Sequence, residues 1–190
     1  MPLHPAENRG YRELYLSGRQ AVKRLGRLAS AFDGTATREL LDKATESISR
    51  MLGELGPLTA RHDLHGGVTA QTGGANVGLV RGAVLDRFLE RNQALRLAVT
   101  DLQHLVTLLG YLEQVARSRG DDALRGFCSE QRSRLMPVER TARAAAIELG
   151  STPDQAIQPL DDSAAGKLAH GAAYAMGSVG EWFDRRAGNK

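Results

Sequence analysis

The chain has 190 residues, 42% of them hydrophobic and 25% charged, a balance that excludes a disordered polymer and leaves room for one packed core. Its 25 basic and 22 acidic side chains leave a formal charge of +3, too small an excess to imply nucleic acid by itself. One cysteine, Cys128, excludes an intrachain disulfide framework and a cysteine-rich zinc site; it fits a reducing compartment, and a cytoplasmic protein is expected. Met1-Pro2-Leu3-His4-Pro5 lacks the charged-then-apolar layout of a secretion signal. No apolar run reaches the ~18 residues that would span a bilayer.

Apolar residues at Tyr11, Leu14, Tyr15, Val22, Leu25, Leu28, Ala29 and Phe32 follow the three-then-four spacing of one helical face, and Asp33-Gly34 supplies a stop. A second helix follows, with Thr35 or Thr37 as N-cap and Leu41, Ala44, Ile48, Met51, Leu52 and Leu55 as its stripe; Gly56-Pro57 is expected to end it. So short a connection predicts an antiparallel pair. From Gly56 to about Asn76 the chain is glycine-rich and contains His62 and His65, with room for a helical turn at Leu58–Leu64. Its length suits a crossover from one end of a bundle to the other.

Val77 to about Ser118 reads either as one long helix or as a short helix to about Arg91 followed by a long one starting near Asn92. Gly120 with Asp121 and Asp122 makes a stop and restart. A fourth long helix is predicted over roughly 122–149, with Leu124, Phe127, Cys128, Leu135, Val138 and Ala142 inward and a kink at Pro137. Gly150 closes it, and Thr152-Pro153-Asp154-Gln155 reads as N-cap, first-turn proline and capping partner. A last helix from about Asp162 to Arg185 is rich in small residues, with Leu168, Met176, Val179, Trp182 and Phe183 as larger contacts. No alternating β-branched run predicts a sheet. The expected fold is all-α: a ferritin-like four-helix bundle over residues 1–150, with a long middle crossover and a C-terminal helical extension, residues 151–190, packed on it.

Such a bundle does chemistry when inward carboxylates from its helices, joined by Glu-x-x-His pairs, hold two metal ions. The first helix places Gly18 inward and turns Glu13 about 160° from its apolar arc. In the second, Leu41, Ala44, Thr45 and Ile48 are inward, whereas Glu39 and Glu46 are not. The third helix carries Asp101 and Glu113 within its apolar arc and His104 at the edge, an i, i+3 spacing that suits one metal. The fourth offers Gln131, an amide that binds transition metals poorly. Pairing of Asp101 and Glu113 with arginines such as Arg134 or Arg24 is the favoured reading.

His62-x-x-His65 in a glycine-rich loop reads as solvated, Cys128 as apolar filling, and no nucleophile elbow or phosphate loop is present. Arginines from Arg117 to Arg143 are interleaved with acids, which reads as a solvated face.

Arg12-Glu13-Leu14-Tyr15-Leu16 leading into Lys23-Arg24-Leu25-Gly26-Arg27-Leu28-Ala29, Arg38-Glu39-Leu40-Leu41 with Thr45, and Gln103-His104 followed by Tyr111-Leu112 resemble the ferritin-like stress proteins of the YciE/YciF type over roughly residues 10–150. The resemblance implies a helical bundle whose metal site is built from helix carboxylates. Where that family has a helix-one glutamate this chain has Gly18; its helix-two histidine falls at Leu41, and its Glu-His pair reads Gln103-His104. Its helix-four glutamate pair has no match near Gln131–Leu135. The resemblance thus implies the fold without the metal centre.

The expectation is a non-enzymatic protein without a cofactor, acting through protein association in stress or housekeeping physiology and open to homo-oligomerisation through its small-residue last helix. Membrane insertion is not expected, and the charge argues against nucleic acid. One alternative is an iron or manganese protein with Asp101, His104 and Glu113 as ligands. Another is an adaptor that engages an anionic partner through its arginines.

Overall fold

Four long helices account for most of the chain in the computed structural model, which describes residues 3–65 and 89–160 and, singly, Ser163, Leu168 and Gly171. Helix α1 (Pro5–Ala31) starts six residues before the apolar stripe that predicts it. Pro5 suits a first turn, where its missing N–H costs nothing. His4 caps it, its Nδ1 accepting from Ala6 N, while Glu7 Oε2 accepts from His4 N at 2.8 Å. Glu7 is buried there, in the positive field of the helix N-terminus. The helix ends at Phe32, and Gly34 turns the chain with a φ of 73° that a side chain would resist.

Helix α2 (Ala36–Ala60) uses Thr35 as N-cap, its hydroxyl accepting from Arg38 N. The expected stop at Gly56-Pro57 is incorrect: the helix runs through Pro57 for another turn. A proline inside a helix removes one hydrogen bond, but tertiary contacts outweigh that loss here. Thr59 is fully buried, its hydroxyl bonded to Tyr15 Oη at 2.9 Å and to Leu55 O, and Leu58 packs on the core.

Helix α3 (Arg91–Arg119) begins beside the predicted Asn92 with Glu90 as N-cap. It ends at Gly120, which adopts the left-handed conformation. Helix α4 (Asp122–Glu148) is capped by Asp121, whose Oδ1 accepts from Leu124 N at 3.0 Å. A 3₁₀ turn (Leu149–Ser151) and a one-turn helix α5 (Pro153–Ala156) follow. Thr152 is the N-cap residue expected from sequence, but its side chain makes no capping bond: its hydroxyl turns back to Leu149 O. Arg91 N then donates to Gln158 O, and Leu160 N to Leu89 O, which ties the chain after α5 to the start of α3.

The long helices pack as a ring, α1 against α2 and α3, and α4 against α2 and α3. Their buried apolar faces meet in a single core that includes Tyr11, Leu25, Leu41, Ile48, Leu105 and Leu135. Two contacts set the topology. His62, just past α2, lies 3.5 Å from Asp121 in the α3–α4 turn; Arg91, opening α3, stacks over Phe32 at the α1–α2 turn, 5.9 Å from the ring centroid. The chain therefore leaves α2 at one end of the ring and enters α3 at the other, about 43 Å away for a helix of 29 residues. All neighbouring helices run antiparallel, and α2 and α3 run the same way.

The described residues are all-helical, without strands, and no described helix is long and apolar enough to cross a membrane. The short helix predicted before Arg91 falls outside the described residues, as does most of the last helix. Leu168, expected as a contact, is 77% exposed.

Gly26 lies mid-α1, and among the described residues nothing comes within 4 Å of where a Cβ would sit. Gly26→Ala is therefore expected to raise stability by about 0.5–1 kcal/mol in a urea titration, since alanine restricts the unfolded chain without a clash.

Candidate functional site

The middle of the ring is where inward carboxylates would converge on metal, and here it is filled by other groups. A Cβ on Gly18 would stand 3.0 Å from Leu52 Cδ2, so the space of a helix-one ligand belongs to α2's leucine. Leu41 is fully buried and apolar. Gln131, 2% exposed, is directed sideways: its amide nitrogen donates to Glu54 Oε2 at 2.6 Å. Arg134 approaches the same carboxylate at 3.4 Å and also pairs with Glu130.

The three candidate ligands of α3 do not converge. Asp101 binds Arg24 of α1 at 2.6 Å. His104 is exposed, its Nε2 3.3 Å from both Ser17 Oγ and Glu13 Oε1. Glu113 lies against Arg132 at 3.3 Å, not against Arg134. Asp101 and Glu113 are twelve residues apart, about 18 Å along the axis, and cannot share an ion. Two carboxylates satisfied by guanidinium groups and one outward imidazole do not fit a two-metal carboxylate centre. Among the described residues no three His, Cys, Asp or Glu side chains form a metal-binding group. Glu13, read as pointing away from the core, reaches the α1–α3 seam.

His62 is not simply solvated, since it is half-buried against Asp121, whereas His65 is exposed. Cys128 is fully buried, and Tyr11 Oη lies 3.7 Å from its Sγ. Burial pushes the thiol up to about 12, with the carboxylates of Glu113, Asp121 and Glu7 adding to the shift and the tyrosine contact opposing it. Burial, with Cys128 beside it, likewise raises the Tyr11 hydroxyl above its ordinary range. A nucleophilic cysteine needs the reverse environment.

Folding holds the thiol neutral, so its contribution is intact below the ordinary value of 9 and is lost as pH rises from there toward 12. Two outcomes follow. Native protein at pH 8 should react with a thiol reagent only as fast as it opens, and Cys128→Ala should flatten the alkaline loss of stability; labelling at the rate of a free thiol would contradict the burial argument.

Arginines of α4 pair along their own helix, Arg125 with Asp122 and Arg143 with Glu139, consistent with a solvated face. A cavity of about 220 Å³ at the base is lined by Phe32, Asp33, Arg91, Leu149 and Gln155 among others, smaller than the ~300 Å³ at which ligand pockets begin. No family model, curated protein or solved structure matches this chain. The fold and its side chains therefore carry the functional argument alone.

Two features escaped the sequence reading. Glu54, which meets Gln131 and Arg134, lies off α2's apolar stripe and gave no signal. The cations of α1 did, because Arg9, Arg12, Arg19, Lys23 and Arg27 recur at helical spacing on the face opposite the core.

Proposed function

We propose that this protein is a non-enzymatic four-helix bundle of ferritin-like architecture that acts through protein association, with stress or housekeeping physiology suggested by its resemblance to the YciE/YciF type. The architecture is supported by the path from α2 to α3, which enters the second hairpin at the opposite end of the ring; one long crossover of this kind characterises ferritin-like bundles. The observation that carries the function is the fate of the central positions. Leu52 fills the space at Gly18, Arg24 neutralises Asp101 and Arg132 neutralises Glu113, so the scaffold stands without the donor set for metal chemistry.

Cross-linking the full chain in extracts of its own cells tests association. A discrete partner captured saturably, above the level retained by an unrelated helical protein, is expected. A chain that captures nothing above that level would contradict the reading.

A further inference from the structure

We infer that the outward face of α3 is where two copies of this chain pair, helix beside parallel helix. The inference rests on the association reading and names the partner as a second copy. Leu97, Thr100, His104, Thr107, Tyr111 and Gln114 follow one another at spacings of three, four, three, four and three, the seam of a coiled coil. All six are exposed, and at ~100° per residue they lie roughly opposite the Leu95–Leu112 stripe that α3 buries in the ring. The helix thus carries two heptad seams, one filled by its own bundle and one turned outward.

The outward seam is free of formal charge in a chain that is 25% charged. From Leu97 to Gln114 the exposed residues are these six and Gln103, none of them Asp, Glu, Lys or Arg. On α2, by contrast, six of the eight exposed residues from Glu39 to Glu54 are charged, and α4 exposes Arg125, Glu130, Arg134, Arg140 and Arg143. Depletion of charge around an exposed aromatic is the compositional mark of an interface centre. Tyr111 is 50% and Leu97 39% exposed. The hydroxyls of Thr100 and Thr107 donate to Arg96 O and Gln103 O, so covering them leaves no buried donor unpaired. Glu13, which reaches the seam from α1, lies against His104 Nε2 at 3.3 Å.

A second copy suits this face better than an unrelated partner. A two-fold axis sets a surface against itself, so a charge within it would meet its like; this seam has none to meet. Two identical seams also share one repeat, the condition for knobs to enter holes along their whole length. The cations near the ends give the direction. Arg96 and Arg117 flank the seam on the same side, so antiparallel copies would set Arg96 of one beside Arg117 of the other. Parallel copies keep the two about 32 Å apart along the axis and turn Arg96 toward the Asp101–Arg24 pair of its mate. Leu97 then meets Leu97, and Tyr111 meets Tyr111. One helix face about 26 Å long is a small interface, so the dimer is weak and forms reversibly at roughly tens of micromolar.

Sedimentation equilibrium of the full chain, from about 5 to 500 μM, tests the assignment. A monomer–dimer equilibrium is expected. Thr107→Glu sets a carboxylate against its like and should weaken the dimer about tenfold or more. Thr141→Glu is the matched control on α4, an exposed threonine whose hydroxyl likewise bonds the carbonyl four residues back, and should leave the dimer within about twofold. Because Cys128 is buried, mild oxidation of Leu97→Cys reports direction, and this variant should link to its own copy. Thermal melts of every variant confirm that the fold is retained.

A chain that stays monomeric throughout, or one that Thr107→Glu and Thr141→Glu weaken equally, would overturn the proposal. So would Leu97→Cys and Gln114→Cys chains that, when mixed, link to each other in preference to themselves. A monomeric chain that loses partner capture in extracts on Thr107→Glu would give this face to a different protein, which overturns the pairing and leaves the association reading standing.

Discussion

Tyr11→Ala should destabilise the protein by about 3–5 kcal/mol, the cost of deleting a fully buried aromatic ring from a core that cannot collapse onto the space. The ring comes from α1, and its hydroxyl lies 3.7 Å from Cys128 on α4, across the ring from it. The loss should therefore appear in the unfolding of the whole ring. Converted at about 2–4 °C per kcal/mol for a chain of this size, it corresponds to roughly 6–20 °C in Tm. Tyr11→Phe separates packing from the polar contact and should cost no more than about 1 kcal/mol, since the thiol is a weak partner. Thermal unfolding of both variants checks this, and equal losses would mean that the hydroxyl, not the ring, holds the helices together.

Gly18→Glu restores the residue type that the YciE/YciF resemblance places on the first helix, and it should cost about 3 kcal/mol. Any Cβ there meets Leu52 Cδ2 at 3.0 Å and Cδ1 at 3.3 Å, so the leucine must move. The carboxylate would also be carried in beside an apolar side chain, Leu52. Pairing the change with Leu52→Ala should recover part of the loss by making room, a non-additivity that neighbouring residues in contact are expected to show. Urea titrations of the two single variants and the double variant measure it. Strict additivity would show that Gly18 and Leu52 do not compete for one space.

The helices were legible in the sequence because their apolar residues repeat at three and four positions, a signal that survives in α1, α2, α3 and α4. Their stops at Gly34 and Gly120 were equally legible, since both take positive φ. Local rules failed where tertiary contacts overrode them. Pro57 announced an end to α2, yet the turn beyond it is held by Thr59 and Tyr15 from different helices. The pairing of Asp101 with Arg24 was anticipated, whereas Glu113 found Arg132 rather than Arg134, because which arginine faces a given carboxylate depends on the register of α3 against α4. Glu54 was invisible for the same reason: its meeting with Gln131 depends on how α2 and α4 cross. The cations of α1 carry a periodic signal of their own, at helical spacing on the face opposite the core.

Elemental analysis decides whether the bundle holds metal, on protein purified without chelator, incubated with Fe²⁺ or Mn²⁺ and passed through a desalting column. With Leu52 over Gly18, and with Asp101 and Glu113 each held by an arginine, less than one equivalent of either metal is expected to stay with the chain. One or two equivalents retained by the native chain, and lost in Asp101→Ala, would contradict it and return the metal centre to α3.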